Sequence, residues 1–486
     1  MGKVGRGVSF VFIGQVFRMG AKGALILILT RFLLTPNEYG QLFLALAVLG
    51  FALMFASLGL GKAGGKYVTE YQETNPGLIP EVIRSTYFYR LLATVTVAAV
   101  IAVFHGQIAT LVGDPAIGPL LLIGVGYIVL KSISGVTSMF FQGFNRMDLH
   151  AGMGIVSNVV LVITVPAFIL LGFGLEGAML GYAISSGIGA VVGTGVIYVY
   201  FYEDDTVRGT VTSAVSKRVL RYSVPLTFTM GASVLSSRID TVLLGIFRGS
   251  TAVGFYILGK QLVDFLIAPA HSLGFGISPT FGEQKASDDL ADAARLYEQS
   301  FRYLVALYLP AAAGVVLVAH PTVTLIFGQD YSGAVPVLQI FSLFVVVRAL
   351  DSITSDALDF LGRARSRAIA KGALALSNFA LNLIFIPMFG VVGATVATVI
   401  TDSIYVSIEL YIIRTELPID FRGLAHTGAV VVAITAGMAL VVYPLVEFAN
   451  SIPTLFTVVA VGGAVWLVLT MVTGVVDLRS LKSTLT

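Results

Sequence analysis

Long apolar runs, broken at short intervals by turns and small clusters of charge, make up most of the chain. A helix needs roughly 20 mostly apolar residues to cross about 30 Å of hydrocarbon. Fourteen stretches reach that length: 8–34, 39–61, 85–104, 118–144, 150–173, 176–202, 222–247, 252–276, 301–320, 334–361, 368–389, 391–413, 426–446 and 453–475. Some neighbours are divided by little more than a turn such as Gly390. Two polar connections, 62–84 and 283–302, carry Tyr67, Tyr71 and Tyr297, with Tyr303 just past the second, and predict surface helices at the membrane interface. No connection leaves room for a folded soluble domain. The first run is too long for a cleavable signal and lacks a small-residue cleavage site, so it is expected to remain as a span. The pattern predicts an all-α integral membrane protein.

Composition agrees and narrows the choice. The chain is 56% hydrophobic and 12% charged, with a mean hydropathy of +0.91, whereas a soluble domain is about 25% charged. Zero Cys removes disulfides, thiol catalysis and Cys-based metal sites. A net charge of +3 gives no reason to expect a nucleic-acid partner. The placement of charge says more than its sum. Alternate connections place 21 Lys and Arg residues on one side and only Arg248 on the other. The side rich in Lys and Arg is cytoplasmic, so both termini are expected in the cytoplasm.

The chain repeats itself at about half length. Ser157-Asn158 opens a span that closes on Gly174-Leu175-Glu176-Gly177-Ala178, and Ser377-Asn378 opens one that closes on Gly390-Val391-Val392-Gly393-Ala394. Met19-Gly20 precedes Tyr39-Gly40 at about the spacing that separates Met230-Gly231 from Gly254-Phe255-Tyr256. The expected plan is a six-helix lobe over 1–205, a second over 206–415, and two further helices with a tail over 416–486. Two related bundles flanking a central substrate cavity is a common transporter plan.

Eight bases fall within spans: Arg18, Lys22, Arg31, Arg90, Lys131, Arg238, Lys260 and Arg348. A charge at the bilayer centre costs at least ~2.5–3.5 kcal/mol, so such groups face a cavity or a partner. The second lobe supplies partners in Asp240, Asp264, Asp351, Asp356, Asp359, Asp402 and Glu409. Lys260 with Asp264, and Arg348 with Asp351, have the spacing of same-face helix pairs. Arg238 and Asp240 are two apart and need other partners. Asp240, Asp264, Asp351, Asp356 and Asp402 are candidates either for inter-lobe pairing with such bases or for coupling to a proton or sodium gradient.

The first lobe has no acid well inside a span. Arg31 has the option of snorkelling outward, but Gln15, Arg18 and Lys22 lie on one stripe of the first span. With Arg90 and Lys131 they make a candidate cationic cavity for an anionic head group, unless acids of the second lobe neutralise them. Arg suits phosphate because its planar fork donates two parallel hydrogen bonds, and Lys adds a mobile point charge.

Other motifs carry no chemistry. The segment Gly254 to Gln261 mimics a phosphate-binding loop but lacks the Ser or Thr that would hold magnesium. Glu203-Asp204-Asp205 is a short charged connection, and the five His are scattered without metal-ligand spacing. No cofactor or metal site is expected. Gly189 and Gly193 form a small-residue packing face.

Several segments carry a family likeness: Arg31-Phe32-Leu33, Pro36-Asn37-Glu38-Tyr39-Gly40, Gly59-Leu60-Gly61 and Lys66-Tyr67-Val68-Thr69-Glu70. Further along come Ala252-Val253-Gly254-Phe255-Tyr256, Ser278-Pro279-Thr280-Phe281 and the run from Phe327 to Ala334. In order and over nearly the whole chain, these resemble the polysaccharide-biosynthesis oligosaccharide flippases of the multidrug/oligosaccharidyl-lipid/polysaccharide exporter superfamily. The resemblance implies fourteen spans, two lobes around a central cavity, alternating access, and outward passage of a polyprenyl-linked oligosaccharide. It also implies a location in the cell membrane, with glycosyltransferases or a polymerase of the same pathway as neighbours. A monomer is expected. Arg18, Lys22, Arg90 and Lys131 match the family's basic cavity by type and depth.

Two rival readings remain. A drug exporter of the same superfamily would bind cations with intramembrane acids, which the first-lobe bases oppose. A membrane polymerase or glycosyltransferase would need a large catalytic loop with clustered carboxylates or His, and none is present.

Overall fold

The structure is a computed structural model describing residues 3–202, 213–287 and 289–474; among these, no side chain is described for 3–13, 15, 16, 213, 228–230, 232, 233, 236 and 275. Every regular element among the described residues is helical. In chain order these are α1 (Lys3–Ile28), α2 (Pro36–Ser57), α3 (Leu60–Thr74), α4 (Ile79–Leu111), α5 (Gly118–Gly143), α6 (Met147–Phe168) and α7 (Gly174–Tyr200). There follow α8 (Ser213–Ala286), α9 (Leu290–Pro321), α10 (Val335–Phe360), α11 (Ala364–Glu416), α12 (Phe421–Leu445) and α13 (Ile452–Thr473). Ten helices among the described residues are long and apolar enough to cross a membrane. Three of those ten, 147–200, 237–286 and 364–416, are 50 to 54 residues long. Each bends at a glycine with positive φ: Gly172 at 91°, Gly249 at 77° and Gly390 at 60°. Left-handed backbone is cheap only without a Cβ, so the helices bend at these points, where the sequence divides neighbouring apolar runs.

Packing divides the chain into two compact units, Met1–Gly254 and Phe255–Thr486. This partition is drawn from contacts, whereas the boundary at 205/206 was drawn from repeated sequence; α8 runs across the contact boundary.

In the first unit α5 is central, packed against α3, α4 and α7, while α6 packs on α7 and α1 on α6. Helix α3 lies where a surface helix was expected, with Leu60, Ala63, Tyr67, Val68 and Tyr71 on its buried face. Gly189 and Gly193 of α7 meet Ser134 and Thr137 of α5 and Met153 of α6, so their small-residue face serves this bundle.

The turn before α2 has a structural purpose. Thr35 and Glu38 form a capping box at the start of α2, and Tyr39 is fully buried. A Cβ on Gly40 would collide with the Ser250 carbonyl, and one on Gly254 with the Pro36 carbonyl. Around this close approach Ser250 Oγ donates to Asp114 Oδ2 at 2.5 Å, Gln41 Nε2 donates to the same oxygen at 3.0 Å, and Thr251 Oγ1 donates to Asn37 Oδ1 at 3.2 Å. The glycine at the head of the false phosphate loop is therefore a helix-contact residue.

In the second unit α10 packs against α9 and α11, α12 against α9, and α13 against α12. Trp466 Nε1 donates to the Ala306 carbonyl at 2.9 Å, tying α13 to α9. Gly333 accepts the Phe255 ring against its backbone, and Tyr331 and Ala334 are buried beside it. The segment from Phe327 to Ala334 thus packs against α8 on its way from α9 to α10.

Candidate functional site: a polar stripe on α5

Arg90 is the most constrained base in the first unit. It projects from α4, is 8% exposed, and donates from Nε to Ser132 Oγ at 2.6 Å. Thr94 Oγ1 lies 2.6 Å from the same Ser132 oxygen and donates to the Arg90 carbonyl at 2.7 Å. A hydroxyl has one proton to give. Since that of Thr94 is committed to the carbonyl, Ser132 donates to Thr94 while accepting from Arg90. The small ring of bonds fixes the guanidinium stem and leaves both Nη groups without a hydrogen-bond partner among the described residues.

The fork lies beside α5, where a Cβ on Gly135 would sit 3.9 Å from Arg90 Nη2. One turn earlier on the same face is Lys131, and one turn earlier again is Tyr127; one turn later Ser138 Oγ pairs with His150 Nδ1 at 2.8 Å. The spacing 127, 131, 135, 138 is a single helix face. Lys131 is hemmed in by protein, yet its side chain remains accessible. Arg18 approaches from α1, near enough for its charge to act on both Lys131 and His150. Arg18 and Lys22 are exposed, one turn apart on α1. Arg18, Lys22, Arg90 and Lys131 make no ion pair among the described residues. The structure thus gathers Arg18, Lys131 and Arg90 around α5; the Gln15 side chain and the Glu203-Asp204-Asp205 run lie outside the described residues.

The bases and acids assigned to the second lobe behave differently. Arg238 Nη1 donates to the Leu46 carbonyl at 3.0 Å, and Asp240 is 1% exposed; both belong to the first unit. Arg348 lies 3.7 Å from Asp402, not against Asp351 as its spacing had suggested, and its guanidinium covers the Phe344 ring. Lys260, Asp264 and Arg348 line one small pocket. Asp351 instead accepts from Ser355 Oγ at 2.8 Å, and Asp356 lies against Gly274.

A network that spacing did not suggest surrounds Arg367. This residue, read from the sequence as a loop base, donates from Nε to the fully buried Glu409 at 2.8 Å and bonds Asp359 at 2.5 Å. Ser355 Oγ lies 3.1 Å from the same Glu409 oxygen. Nearby, Arg363 Nη2 reaches Glu416 at 2.6 Å. That hydrogen bond holds the Arg363 guanidinium, which stands in the turn outside the spans, above the ordinary arginine pKa. Residues 42 and 53 positions apart, Arg367 with Glu409 and Arg363 with Glu416, are joined here across the bend in α11, and the only sequence signal was an acid, Glu409, inside an apolar run. In the first unit, Ser132 and Thr94 carried no signal beyond polarity in a span.

A second arrangement provides contrast. A cleft in the second unit, lined by Leu266, Leu307, Met438, Val458, Gly462 and Trp466 among others, is almost wholly apolar. It offers a chain of hydrocarbon nothing to coordinate except surface.

The profile of the polysaccharide biosynthesis protein family matches residues 4–270, and the MatE profile matches residues 225–384. A probable low-salt glycan biosynthesis flippase, Agl15 of Haloferax volcanii, is 22% identical over 85% of this chain and 84% of its own. A succinoglycan biosynthesis transport protein, ExoT of Rhizobium meliloti, is 24% identical over 70% of this chain and 66% of its own. Among solved structures, a lipid II flippase MurJ in an inward closed conformation superposes with a TM-score of 0.76 at 16% identity, covering 96% of this chain and 98% of that one. At that identity the likeness concerns the fold.

Proposed function

The chain belongs to the polysaccharide biosynthesis protein family of the multidrug/oligosaccharidyl-lipid/polysaccharide exporter superfamily. From that premise we propose that it is a flippase carrying a polyprenyl-linked oligosaccharide, joined through a phosphate or diphosphate, from the cytoplasmic to the outer leaflet. It is a transporter and not an enzyme. Relatives named for glycan flipping and transport support the class of cargo.

One observation carries the choice of an anionic head group. Lys131 and Arg90 sit in helices long and apolar enough to cross a membrane, and Arg18 and Lys22 are exposed on α1; none has a carboxylate bonded to it among the described residues, and the Arg90 guanidinium is held by its stem with no hydrogen bond to its fork among them. Four bases left unneutralised in an apolar helix bundle are costly unless a negative ligand meets them. A drug exporter selecting cations would be repelled by the same charges. The fourteen spans, the cytoplasmic termini, alternating access and coupling to a proton or sodium gradient through second-lobe acids complete the reading. The glycan is delivered by glycosyltransferases and taken up by a polymerase or transferase on the far side.

The test is reconstitution. Proteoliposomes holding a fluorescent polyprenyl diphosphate disaccharide in the inner leaflet should move it to the outer leaflet, where an added membrane-impermeant quencher reaches it. Arg90→Ala combined with Lys131→Ala should abolish that movement without lowering the amount of protein reconstituted. Full movement by the double variant removes the anion-binding role of the stripe.

A further inference from the structure

Two tyrosines stand beside the cationic stripe with no packing reason to carry hydroxyls. Tyr127 of α5 and Tyr182 of α7 meet edge to face, with ring centroids 6.3 Å apart and planes at 88°. Neither hydroxyl makes a hydrogen bond among the described residues. Both rings are half-buried. Tyrosine is common in the interfacial belts of membrane proteins, where its hydroxyl meets water. That explanation does not reach these two. Tyr127 is the tenth residue of the 26-residue α5 and Tyr182 the ninth of the 27-residue α7. At 1.5 Å per residue they lie about 12–14 Å from the nearer helix end, well inside the span. A phenol left unbonded in an apolar setting carries a desolvation cost that Phe would avoid.

Their neighbours indicate what the hydroxyls are for. Tyr127 is one turn from Lys131 on the same face of α5, a separation of about 5–6 Å between Cβ atoms. Arg238 is near enough to Tyr127 to interact electrostatically, and Arg18 does so with Lys131. An aromatic pair whose hydroxyls are unbonded among the described residues, adjoining cations with no ion pair among them, matches a sugar ring attached directly to a phosphate. The apolar C–H face of a pyranose lies on an aromatic ring, while ring hydroxyls exchange hydrogen bonds with the phenols. Ligand sites of this kind combine aromatic walls with a few placed polar groups.

We propose that Tyr127 and Tyr182 form a subsite for the first sugar of the cargo, the one bonded to the phosphate held by Arg90, Lys131 and Arg18. The subsite rests on the flippase reading and deepens it, because it makes the protein a reader of the glycan's reducing end as well as of its charge. Lipid phosphate without a sugar then binds, but less tightly.

The experiment compares two probes on the full-length protein in nanodiscs: farnesyl diphosphate, and farnesyl diphosphate bearing one hexose. Wild type should bind the glycosylated probe roughly tenfold tighter, the size expected of one stacked ring with a hydrogen bond or two. Tyr127→Ala and Tyr182→Ala should each remove most of that difference while leaving the affinity for farnesyl diphosphate unchanged. Tyr127→Phe and Tyr182→Phe, which keep the packing, should each lose part of it, and they decide the matter if the alanine variants do not fold. Lys131→Ala should weaken both probes alike. Retention of the tenfold difference in all the tyrosine variants overturns the subsite, as does equal binding of the two probes by wild type. Failure of wild type to bind either probe overturns the flippase reading itself.

Discussion

Arg90 Nε donates to Ser132 Oγ across 2.6 Å, and the bond uses the guanidinium's stem side, not its fork. What remains available is the pair of parallel N–H groups that matches a phosphate edge. Arg90→Lys keeps the charge but loses both the fork and the donor to Ser132. Initial flipping rates should fall by roughly tenfold, consistent with about 1.5–3 kcal/mol for a hydrogen bond to a charged group. A rate within twofold of wild type would show that charge alone suffices.

Ser132→Ala tests whether the stem-holding ring matters. Ser132 is 1% exposed and bonds Arg90 and Thr94, so its loss frees the Arg90 stem along with the Thr94 hydroxyl oxygen. Affinity for farnesyl diphosphate should drop about fivefold, within the ~1 kcal/mol typical of one hydrogen bond, and the melting temperature should hardly move. If affinity is unchanged and only stability falls, the ring is structural.

Gly40→Ala adds a methyl against the Ser250 carbonyl and the Gly254 backbone, neither of which swings away as a side chain would. Overpacking of this kind costs about 1–3 kcal/mol, and the detergent-solubilised protein should melt several degrees lower. Gly428→Ala in α12, where an added Cβ meets nothing within 4 Å, is the control and should melt at or above wild type. Equal melting of the two variants would refute the close approach of α2 to the turn at 249–254.

Glu409→Ala leaves Arg367 in a protein interior with Asp359 as its remaining ion-pair partner. Removing one partner of a buried pair costs about 3–5 kcal/mol, whereas replacing both with apolar residues is often close to neutral. The single variant should therefore melt well below wild type, and Arg367→Met with Glu409→Leu should recover part of the loss. A double variant less stable than the single one would contradict this.

Coupling predicts a dependence on gradients. Asp351, bonded through Ser355 to the site of Glu409 and Arg367, is the acid on which the coupling proposal is tested. Collapsing the proton or the sodium gradient across proteoliposomes should slow flipping, and Asp351→Asn should make the rate insensitive to that gradient. Transport indifferent to both gradients in wild type ends the coupling proposal.

The split between sequence and structure follows from the range of the forces involved. Hydropathy is a sum over neighbours along the chain, so the apolar runs announced membrane helices, and Gly390 marked a bend without any knowledge of packing. The family's turn motifs were equally readable because they serve local needs: Thr35 and Glu38 cap a helix start, and Gly40 lets a backbone pass close by. Charge was readable only as a question. The eight intramembrane bases were plain in the text, yet their partners were not.

Sequence alone determined that this chain spans a membrane as helices and that the bases of its first 205 residues lack acids well inside their own spans. Tertiary structure alone decided which bases were spoken for. Arg348 took Asp402 in preference to an acid three residues away, Arg367 reached Glu409 across a bend in its own helix, and Arg90 bonds a serine and no acid among the described residues. An ion pair depends on distance through space, and helix packing sets that distance between residues that may stand one turn or fifty positions apart. Burial is a local average that a sequence can carry; pairing is a long-range geometry that only the folded chain supplies.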